Sequence, residues 1–284
     1  MNDAVEVLGS TTEFWTYGPA DAAVTLIFIH GYRGEHHGLE PVIAHLRGLR
    51  IIAPDLPGFG RSEPLVVGHH DIDGYAAWLG AFVGALGLER ATVLGHSFGS
   101  IVVAHAAADG LISPPRLILV NPIASPAASG PNRALTRLAV FGIALAGRLP
   151  ARLGRWLVGN RAVVRGMSLV MTTTKDPVLR RFIHDQHATY FSDFASSATV
   201  VEGFEASVSH NVAEVASRID IPTLLIGAEL DPITPVADVA ALERAMPQAT
   251  LRMIPGVGHL VHYEKSREAA ELIVDWLGEG RAIG

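Results

Sequence analysis

Short, continuous apolar runs alternate along the chain with longer segments in which apolar residues recur with a helical period. The runs consist almost entirely of Val, Ile, Leu, Ala and Phe, and they lack the polar alternation of a half-exposed strand. Such runs are typical of parallel strands buried on both faces between layers of helices. The predicted strands are Thr25 to His30, Arg50 to Pro54, Ala91 to Leu94, Arg116 to Val120, Thr223 to Gly227 and Thr250 to Ile254.

The intervening segments predict helices, and two short β-prone runs before the first strand predict an antiparallel edge hairpin across Gly9-Ser10. The alternation of strands and helices indicates the α/β class, with a mostly parallel sheet flanked by helices. The predicted hairpin strands are Val5 to Leu8 and Glu13 to Tyr17, and the predicted helices are about Gly38 to Leu46, Ile72 to Gly87, Phe98 to Asp109, Pro235 to Met246 and Glu264 to Gly278.

One long gap interrupts this alternation, since no convincing buried strand lies between Ile123 and Thr223. The gap is filled by apolar segments of helical period that carry regularly spaced Arg residues. From Gly110 to Lys175 the chain has no Asp or Glu at all. We interpret the gap as a helical insertion of nearly a hundred residues. Its Arg residues are expected on a solvated outer face, with their aliphatic stems covering apolar surface.

Composition removes several classes of protein. The 284 residues are 49% hydrophobic and 18% charged, which is typical of a globular chain with a large core. The net charge of -6 argues against a nucleic-acid partner. The absence of Cys excludes disulfides, thiolate metal ligands and a Cys nucleophile.

Localisation is predicted from two segments. The longest apolar stretch, Leu138 to Gly147, is far shorter than the roughly 20 residues that cross a bilayer, so no transmembrane segment is expected. The first residues, Met-Asn-Asp-Ala-Val-Glu-Val, lack the basic start of a signal peptide. We therefore expect a cytoplasmic protein.

A G-x-S-x-G motif, Gly95-His96-Ser97-Phe98-Gly99, lies between a predicted strand and a predicted helix. In this context the glycines permit a tight, strained turn that exposes Ser97. The Phe98 amide and the start of the helix then face the same point, so they could stabilise an anion that forms there.

Three further polar segments follow predicted strands, at the sheet edge where open α/β sheets bind ligands. His30-Gly31-Tyr32-Arg33-Gly34 offers the Tyr32 amide as a second anion donor. Asp231 follows the Thr223 strand, and His259 follows the Thr250 strand in Gly256-Val257-Gly258-His259. The chain order Ser97, Asp231, His259 is the order of the serine, acid and histidine in this architecture.

These motifs resemble the α/β-hydrolase superfamily, in particular its branch of lidded esterases, lactonases and meta-cleavage hydrolases. The resemblance covers nearly the whole chain and rests on His30-Gly31, Asp55 to Ser62, Gly95 to Ser100, Leu224 to Asp231 and Gly256 to Leu260. It implies an eight-stranded, mostly parallel sheet. It also implies a core domain of residues 1–123 and 211–284, with a helical cap over the active site formed by residues 124–210.

The resemblance implies that Ser97 is the nucleophile, His259 its base and Asp231 the acid that orients His259, with the amides of Tyr32 and Phe98 as the oxyanion hole. Such chemistry needs neither a metal nor an organic cofactor. Haloalkane dehalogenases and epoxide hydrolases of this fold carry Asp where this chain has Ser97, so the resemblance excludes them.

The predicted activity is hydrolysis of a carboxylic ester or lactone of small to medium, largely apolar character. Hydrolysis of a carbon-carbon bond is the runner-up, although that branch usually has Asn rather than His before the nucleophile. A haloperoxidase-like perhydrolase and a non-catalytic ligand-binding protein are further alternatives. The acyl and alcohol groups, recognition of an anionic group by the Arg residues of the insertion, and homodimer formation are left open.

Other polar residues compete for the site. Glu229 is the main rival to Asp231, and His262 is a weaker rival to His259. His96 is expected to pack away from Ser97, His30 to brace its loop, and Asp55 to hold a turn. The pairs His36-His37 and His69-His70 have no carboxylates at ligand spacing, so we expect exposed loop histidines and no metal site.

The insertion carries more large apolar residues than surface helices need, so part of it is expected to line the substrate pocket. Met167 and Met171 are spaced i, i+4 and can share one helical face. The predicted substrate-binding residues are Met167, Met171, Phe141 and Trp156, and the other apolar residues expected to be buried are Leu138, Val140, Leu145, Leu157 and Leu169.

Overall fold

The fold is built on one eight-stranded sheet, seen in a computed structural model that describes residues 1–126, 142, 143, 145 and 147–279. The strand order is β1-β2-β4-β3-β5-β6-β7-β8. β1 and β2 form the antiparallel edge hairpin, and the pairs from β4 to β8 are parallel. The strands are β1 (Asn2–Val7), β2 (Ser10–Tyr17), β3 (Thr25–Ile29), β4 (Arg50–Pro54), β5 (Thr92–His96), β6 (Leu117–Val120), β7 (Thr223–Ala228) and β8 (Ala249–Ile254).

Helices follow most strands, which confirms the predicted α/β class. Among the described residues, four helices with complete bounds lie between β6 and β7, in the segment that the sequence predicts to be inserted. The helices are α1 (Glu40–Ile43), α2 (Ile72–Ala85), α3 (Phe98–Ala108), α4 (Ala151–Val158), α5 (Arg161–Met171), α6 (Pro177–Tyr190), α7 (Ser197–Ser209), α8 (Val236–Ala245), α9 (Val261–Glu264) and α10 (Ser266–Glu279).

The predicted boundaries differ from the observed ones where local chemistry divides an element. The single helix expected over Gly38 to Leu46 is a 3-10 turn at His36–Leu39 followed by α1, with a proline in the first turn of α1. β5 continues past Leu94 to His96, because it keeps pairing with β6 up to Val120.

Both faces of the sheet are buried, and β6 shows how. Leu117 and Leu119 belong to the apolar cluster on one face, which contains Trp78 and Phe82 of α2. Ile118 and Val120 belong to the cluster on the other face, together with residues of α10. Each residue of β6 therefore packs against a helical layer, which explains why the strand is apolar at every position.

The segment 124–210, which we call the insert, is tied to the loops at one edge of the sheet. The buried Arg33 donates hydrogen bonds to the backbone carbonyls of Val158 and Phe191, at 2.6 to 3.0 Å. Phe59 forms a backbone bridge with Phe194. Among the described helices, none is both long and apolar enough to cross a membrane.

Candidate active site

Ser97 lies in a strained turn between β5 and α3. Its φ is 52° and its ψ is -117°, a region that residues other than glycine rarely adopt. A Cβ at Gly95 would stand 2.4 Å from the Gly99 carbonyl oxygen, and a Cβ at Gly99 would stand 2.4 Å from the Ile29 carbonyl oxygen. Only glycine fits at either position, and the turn holds the Ser97 side chain at the sheet edge.

A hydrogen-bonded chain joins Ser97, His259 and Asp231. The three residues are far apart in the sequence, since β7 lies between Ser97 and Asp231 and β8 lies between Asp231 and His259. His259 Nε2 lies 2.7 Å from Ser97 Oγ, and His259 Nδ1 lies 2.8 Å from Asp231 Oδ2. An ionised carboxylate only accepts hydrogen bonds, so the Nδ1–H of His259 donates to it. Nε2 is then left with a lone pair that accepts the Ser97 hydroxyl proton.

The Asp231 carboxylate is held ionised by its surroundings. Burial acts to raise its pKa, but the charge of His259 and hydrogen bonds from His259, Ile233 and Asn121 bring the pKa below its usual value. The Ile233 and Thr234 amides donate to Oδ1 at 2.8 and 3.2 Å. Nearly every lone pair of this buried group is therefore satisfied.

Asn121 is a residue of the site that the sequence analysis missed. Its Nδ2 donates to Asp231 Oδ2 at 2.9 Å, from a left-handed backbone conformation with φ 47° just after β6. The sequence showed only that β6 ends without a carboxylate. A polar residue at a sheet edge that already carried candidate residues is the signal that could have found it.

The amides of Tyr32 and Phe98 carry no partner among the described residues. The Tyr32 loop lies against the turn, since a Cβ at Gly31 would stand 3.2 Å from the Ser97 Cβ. The Tyr32 side chain is anchored separately, because its hydroxyl donates to the Val200 carbonyl at 2.7 Å. Two free amide donors therefore flank the Ser97 region.

The two rival residues, Glu229 and His262, do not take part in the hydrogen-bonded chain. Glu229 is exposed, and its carboxylate accepts the Gly256 amide at 2.8 Å rather than contacting His259. His262 is buried against His96, with ring centroids 4.2 Å apart. Burial holds the pKa of His96 at about 3, and burial likewise holds the pKa of His262 well below its usual value, so both rings are neutral.

Two loop residues near the site, His30 and Asp55, hold the surrounding loops in place by hydrogen bonds to backbone groups. The Leu56 amide donates to His30 Nε2 at 2.8 Å, which leaves the His30 Nδ1–H to donate to the Gly31 carbonyl. The fully buried Asp55 accepts the amides of His36 and Arg61 at 2.9 Å.

The expectation that the paired histidines are exposed is wrong for His36 and His70, which are buried. The reason is that each is matched by a carboxylate distant in sequence. His36 Nδ1 lies 2.8 Å from Asp55, and His70 Nδ1 lies 2.9 Å from Glu202.

A cavity of about 50 Å³ adjoins Ser97. Of the predicted substrate-binding residues, Met171 lines it and Met167 does not. Phe141 lies outside the described residues, as do Leu138 and Val140. The sequence analysis missed Phe191 of the insert, which also lines the cavity.

The prediction that Trp156 faces the substrate is wrong, because 65% of its surface is exposed. The face of α4 that packs inward carries Gly154 and Val158. Leu145 and Leu169, expected to be buried, are 42% and 46% exposed. An excess of apolar residues therefore did not identify the inward face of these helices.

In the described part of the chain, histidines and carboxylates that could bind a metal ion form two groups. One comprises Glu35, His36 and His37, and the other His105, His210 and Glu214. Neither group includes Ser97, Asp231 or His259, so both groups are separate from the hydrogen-bonded chain that these three residues form.

The protein is thus built on an α/β sheet that carries a hydrogen-bonded serine, histidine and aspartate at one edge. Residues 24–266 match the family model of the alpha/beta hydrolase fold, and the chain belongs to this family. The sequence-based identification of the superfamily is confirmed.

Individual relatives are distant. The chain is 27% identical to the magnesium-chelatase 30 kDa subunit of Rhodobacter capsulatus, over 92% of this chain and 88% of that protein. It is 28% identical to the non-heme chloroperoxidase of Burkholderia pyrrocinia, over 86% and 87%. A thermophilic esterase from Thermogutta terrifontis shares the fold, with a TM-score of 0.77, 20% identity and 98% of each chain covered.

Proposed function

We propose that the protein is a serine hydrolase that cleaves a carboxylic ester or lactone through an acyl-enzyme. The observation that carries the proposal is the chain from Ser97 Oγ to His259 Nε2 and from His259 Nδ1 to Asp231, at 2.7 and 2.8 Å. These are the contacts by which a histidine takes the proton of a serine hydroxyl.

In the proposed reaction, Ser97 Oγ attacks the ester carbonyl as its proton passes to His259 Nε2. The Tyr32 and Phe98 amides donate to the oxyanion of the tetrahedral intermediate. His259 then gives the proton to the leaving alcohol, and Asp231 stabilises the imidazolium while this occurs. Water attacks the acyl-enzyme in a second round of the same steps, which releases the acid and restores Ser97.

The insert, under this proposal, acts as a cap that limits the size of the substrate. Met171 and Phe191 bring apolar surface from α5 and the end of α6 to the cavity beside Ser97. An apolar wall binds an alkyl or aryl group by excluding water from it. We therefore assign an apolar substrate of small to medium size.

Labelling with a fluorophosphonate probe tests the nucleophile directly. The wild-type protein is expected to react once per chain, at Ser97, and Ser97→Ala is expected not to react. Glu229→Gln is a matched control, since its carboxylate braces a neighbouring turn. Labelling that persists in Ser97→Ala would show that another residue is the nucleophile.

A panel of p-nitrophenyl esters of rising chain length, run beside lactones and one dienoate, tests the substrate class. We expect ester or lactone turnover that disappears in Ser97→Ala. Turnover of the dienoate alone would instead identify a carbon-carbon hydrolase, the runner-up.

A second candidate is a protein of this fold that binds a ligand without turnover. It is favoured by the similarity to a chain named as a chelatase subunit. An intact hydrogen-bonded serine, histidine and aspartate argues against it, because a binding protein has no need of an aligned proton acceptor. Absence of both probe labelling and ester turnover would favour this candidate.

A further inference from the structure

His105, His210 and Glu214 bring three potential metal-ligand atoms together on the side of the core where the insert ends. His105 lies in α3, His210 directly follows α7, and Glu214 ends a short 3-10 turn. Their ligand atoms all lie within 4.8 Å of one another. Glu214 Oε2 is 3.0 Å from His210 Nδ1 and 3.8 Å from His105 Nε2.

The His105 ring is buried with one nitrogen unused. His105 is only 8% exposed, and its Nε2 has no hydrogen-bond partner among the described residues. This nitrogen lies 3.8 Å from Glu214 Oε2, so the unpartnered side of the ring faces the other two groups.

The side-chain amide of Asn211 orients the Glu214 carboxylate. Its Nδ2 donates to Glu214 Oε1 at 2.6 Å, so Oε2 is the oxygen that faces both histidines. Asn211 thus holds the Glu214 carboxylate from the side opposite the two histidines. Histidine and carboxylate ligands of metal ions are characteristically held in this way by hydrogen bonds from behind.

The spacing of the three atoms suits a small divalent ion. Tetrahedral Zn²⁺ with bonds of about 2.0–2.2 Å separates its ligand atoms by roughly 3.4 Å. The two separations that involve Glu214 Oε2, 3.0 and 3.8 Å, bracket that value, and the two histidine nitrogens lie within 4.8 Å of each other. Two imidazole nitrogens and one carboxylate oxygen are a donor set for borderline metals such as Zn²⁺.

We propose that His105 Nε2, His210 Nδ1 and Glu214 Oε2 bind one divalent transition-metal ion, Zn²⁺ or a close analogue. The partly exposed faces of His210 and Glu214 leave a fourth position for water. The ion would link α3, whose first residue follows Ser97, to the end of the insert. The sequence predicted no metal site, because these ligands come from segments about a hundred residues apart.

The other group of candidate ligands does not support the same inference. His36 Nδ1 already binds Asp55, and His37 Nδ1 binds Glu35. In that group both histidines are already hydrogen-bonded to carboxylates. In the proposed site His210 Nδ1 bonds Glu214 Oε2, but the buried His105 Nε2 has no partner among the described residues.

Metal binding by the full-length protein tests the proposal without any assay of activity. Protein treated with a chelator and then dialysed is titrated with Co²⁺, whose absorption spectrum reports nitrogen and oxygen ligation, and Zn²⁺ is then added to displace it. Metal content after equilibrium dialysis is measured in parallel. We expect one ion per chain.

His210→Ala and Glu214→Gln remove one ligand each from partly exposed positions, so both variants are expected to fold. Each should lower the affinity for Co²⁺ and Zn²⁺ at least tenfold. His45→Ala, at an exposed histidine outside the cluster, is the matched control and should bind as the wild type does. No binding by the wild-type protein, or equal binding by wild type and His210→Ala, would overturn the proposal.

Discussion

The backbone of Ser97 stores strain at the point where the hydroxyl is needed. A φ of 52° costs a residue with a Cβ about 1–3 kcal/mol relative to a relaxed conformation. The neighbouring glycines fix the turn, so Ser97 cannot relax without moving β5 or α3. The packing of β5 and α3 offsets this conformational cost. The cost does not depend on the hydroxyl group of Ser97.

We therefore expect opposite effects on stability and turnover from Ser97→Gly. Glycine adopts positive φ freely, so the free energy of unfolding should rise by about 1 kcal/mol, while ester hydrolysis disappears with the hydroxyl. Ser97→Ala is the matched control, since it loses the hydroxyl but keeps the strain. Urea denaturation measures the difference, and a less stable Ser97→Gly would show that the turn is not strained.

A pair of carboxylates permits a second test at the same scale. Asp231→Asn keeps the size of the side chain but favours the wrong tautomer of His259, so kcat should fall by about three to four orders of magnitude. Glu229→Gln should change kcat little, because the Glu229 carboxylate accepts the Gly256 amide and lies outside the hydrogen-bonded chain of Ser97, His259 and Asp231. Steady-state kinetics distinguishes the two, and a larger effect at Glu229 would contradict the assignment of Asp231.

Glu35 predicts a pH dependence of stability. Burial, followed by the charges of Asp55 and Asp193, raises its pKa to about 8 from an ordinary value near 4.5. Between those values the folded state binds a proton that the unfolded state has lost, so this residue's contribution to stability falls as pH rises.

Glu35→Gln should remove that part of the dependence. Urea denaturation from pH 5 to 8 should show wild type losing stability relative to Glu35→Gln. His69→Gln, at an exposed histidine, controls for a general effect of substitution. Parallel curves for wild type and Glu35→Gln would contradict the raised pKa.

At the scale of the element, the helices of the insert differ in what they present to the site. α5 directs Met171 to the cavity beside Ser97, whereas α4 directs Trp156 to solvent. Because the cavity is only about 50 Å³, a larger side chain at its wall should markedly reduce the space left for a substrate.

Met171→Trp should therefore shift the preference among p-nitrophenyl esters toward shorter acyl chains. Trp156→Ala should leave both the ranking of esters and the free energy of unfolding nearly unchanged, within about 0.5 kcal/mol, as is usual for exposed positions. Probe labelling of Ser97 should persist in both variants. An unchanged ranking in Met171→Trp would refute a role for α5 in specificity.

The two helices also show how far sequence reasoning reaches. The strands were predictable because residues such as Leu119 and Ile118 pack on opposite faces and leave a continuous apolar run. The inward face of α4 was not predictable from apolar content, since its buried positions are Gly154 and Val158 while the larger Leu153 and Trp156 are exposed. Asn121 was missed because its partner, Asp231, lies far away in the sequence.

At the scale of the whole molecule, the central strands of the sheet contribute residues to the apolar layers on both of its faces. Leu119 of β6 is fully buried in the layer that includes α2, so Leu119→Ala should lower the free energy of unfolding by about 2–5 kcal/mol. Leu153→Ala, at a site 53% exposed, should cost less than about 0.5 kcal/mol. Urea denaturation measures both, and similar costs would mean that β6 is not central to the core.

The strand order also fixes when the site is assembled during synthesis. Ser97 and its turn are held by β3, β5, β6 and α3, which lie in the first 120 residues, and the Ser97 amide donates to the Val120 carbonyl of β6. His259 comes after β8, which can join the sheet only once β7 has paired with β6. A nascent chain therefore carries its serine well before its histidine, and the hydrogen bonds from Ser97 to His259 and from His259 to Asp231 cannot form until the residues after β8 have been synthesised.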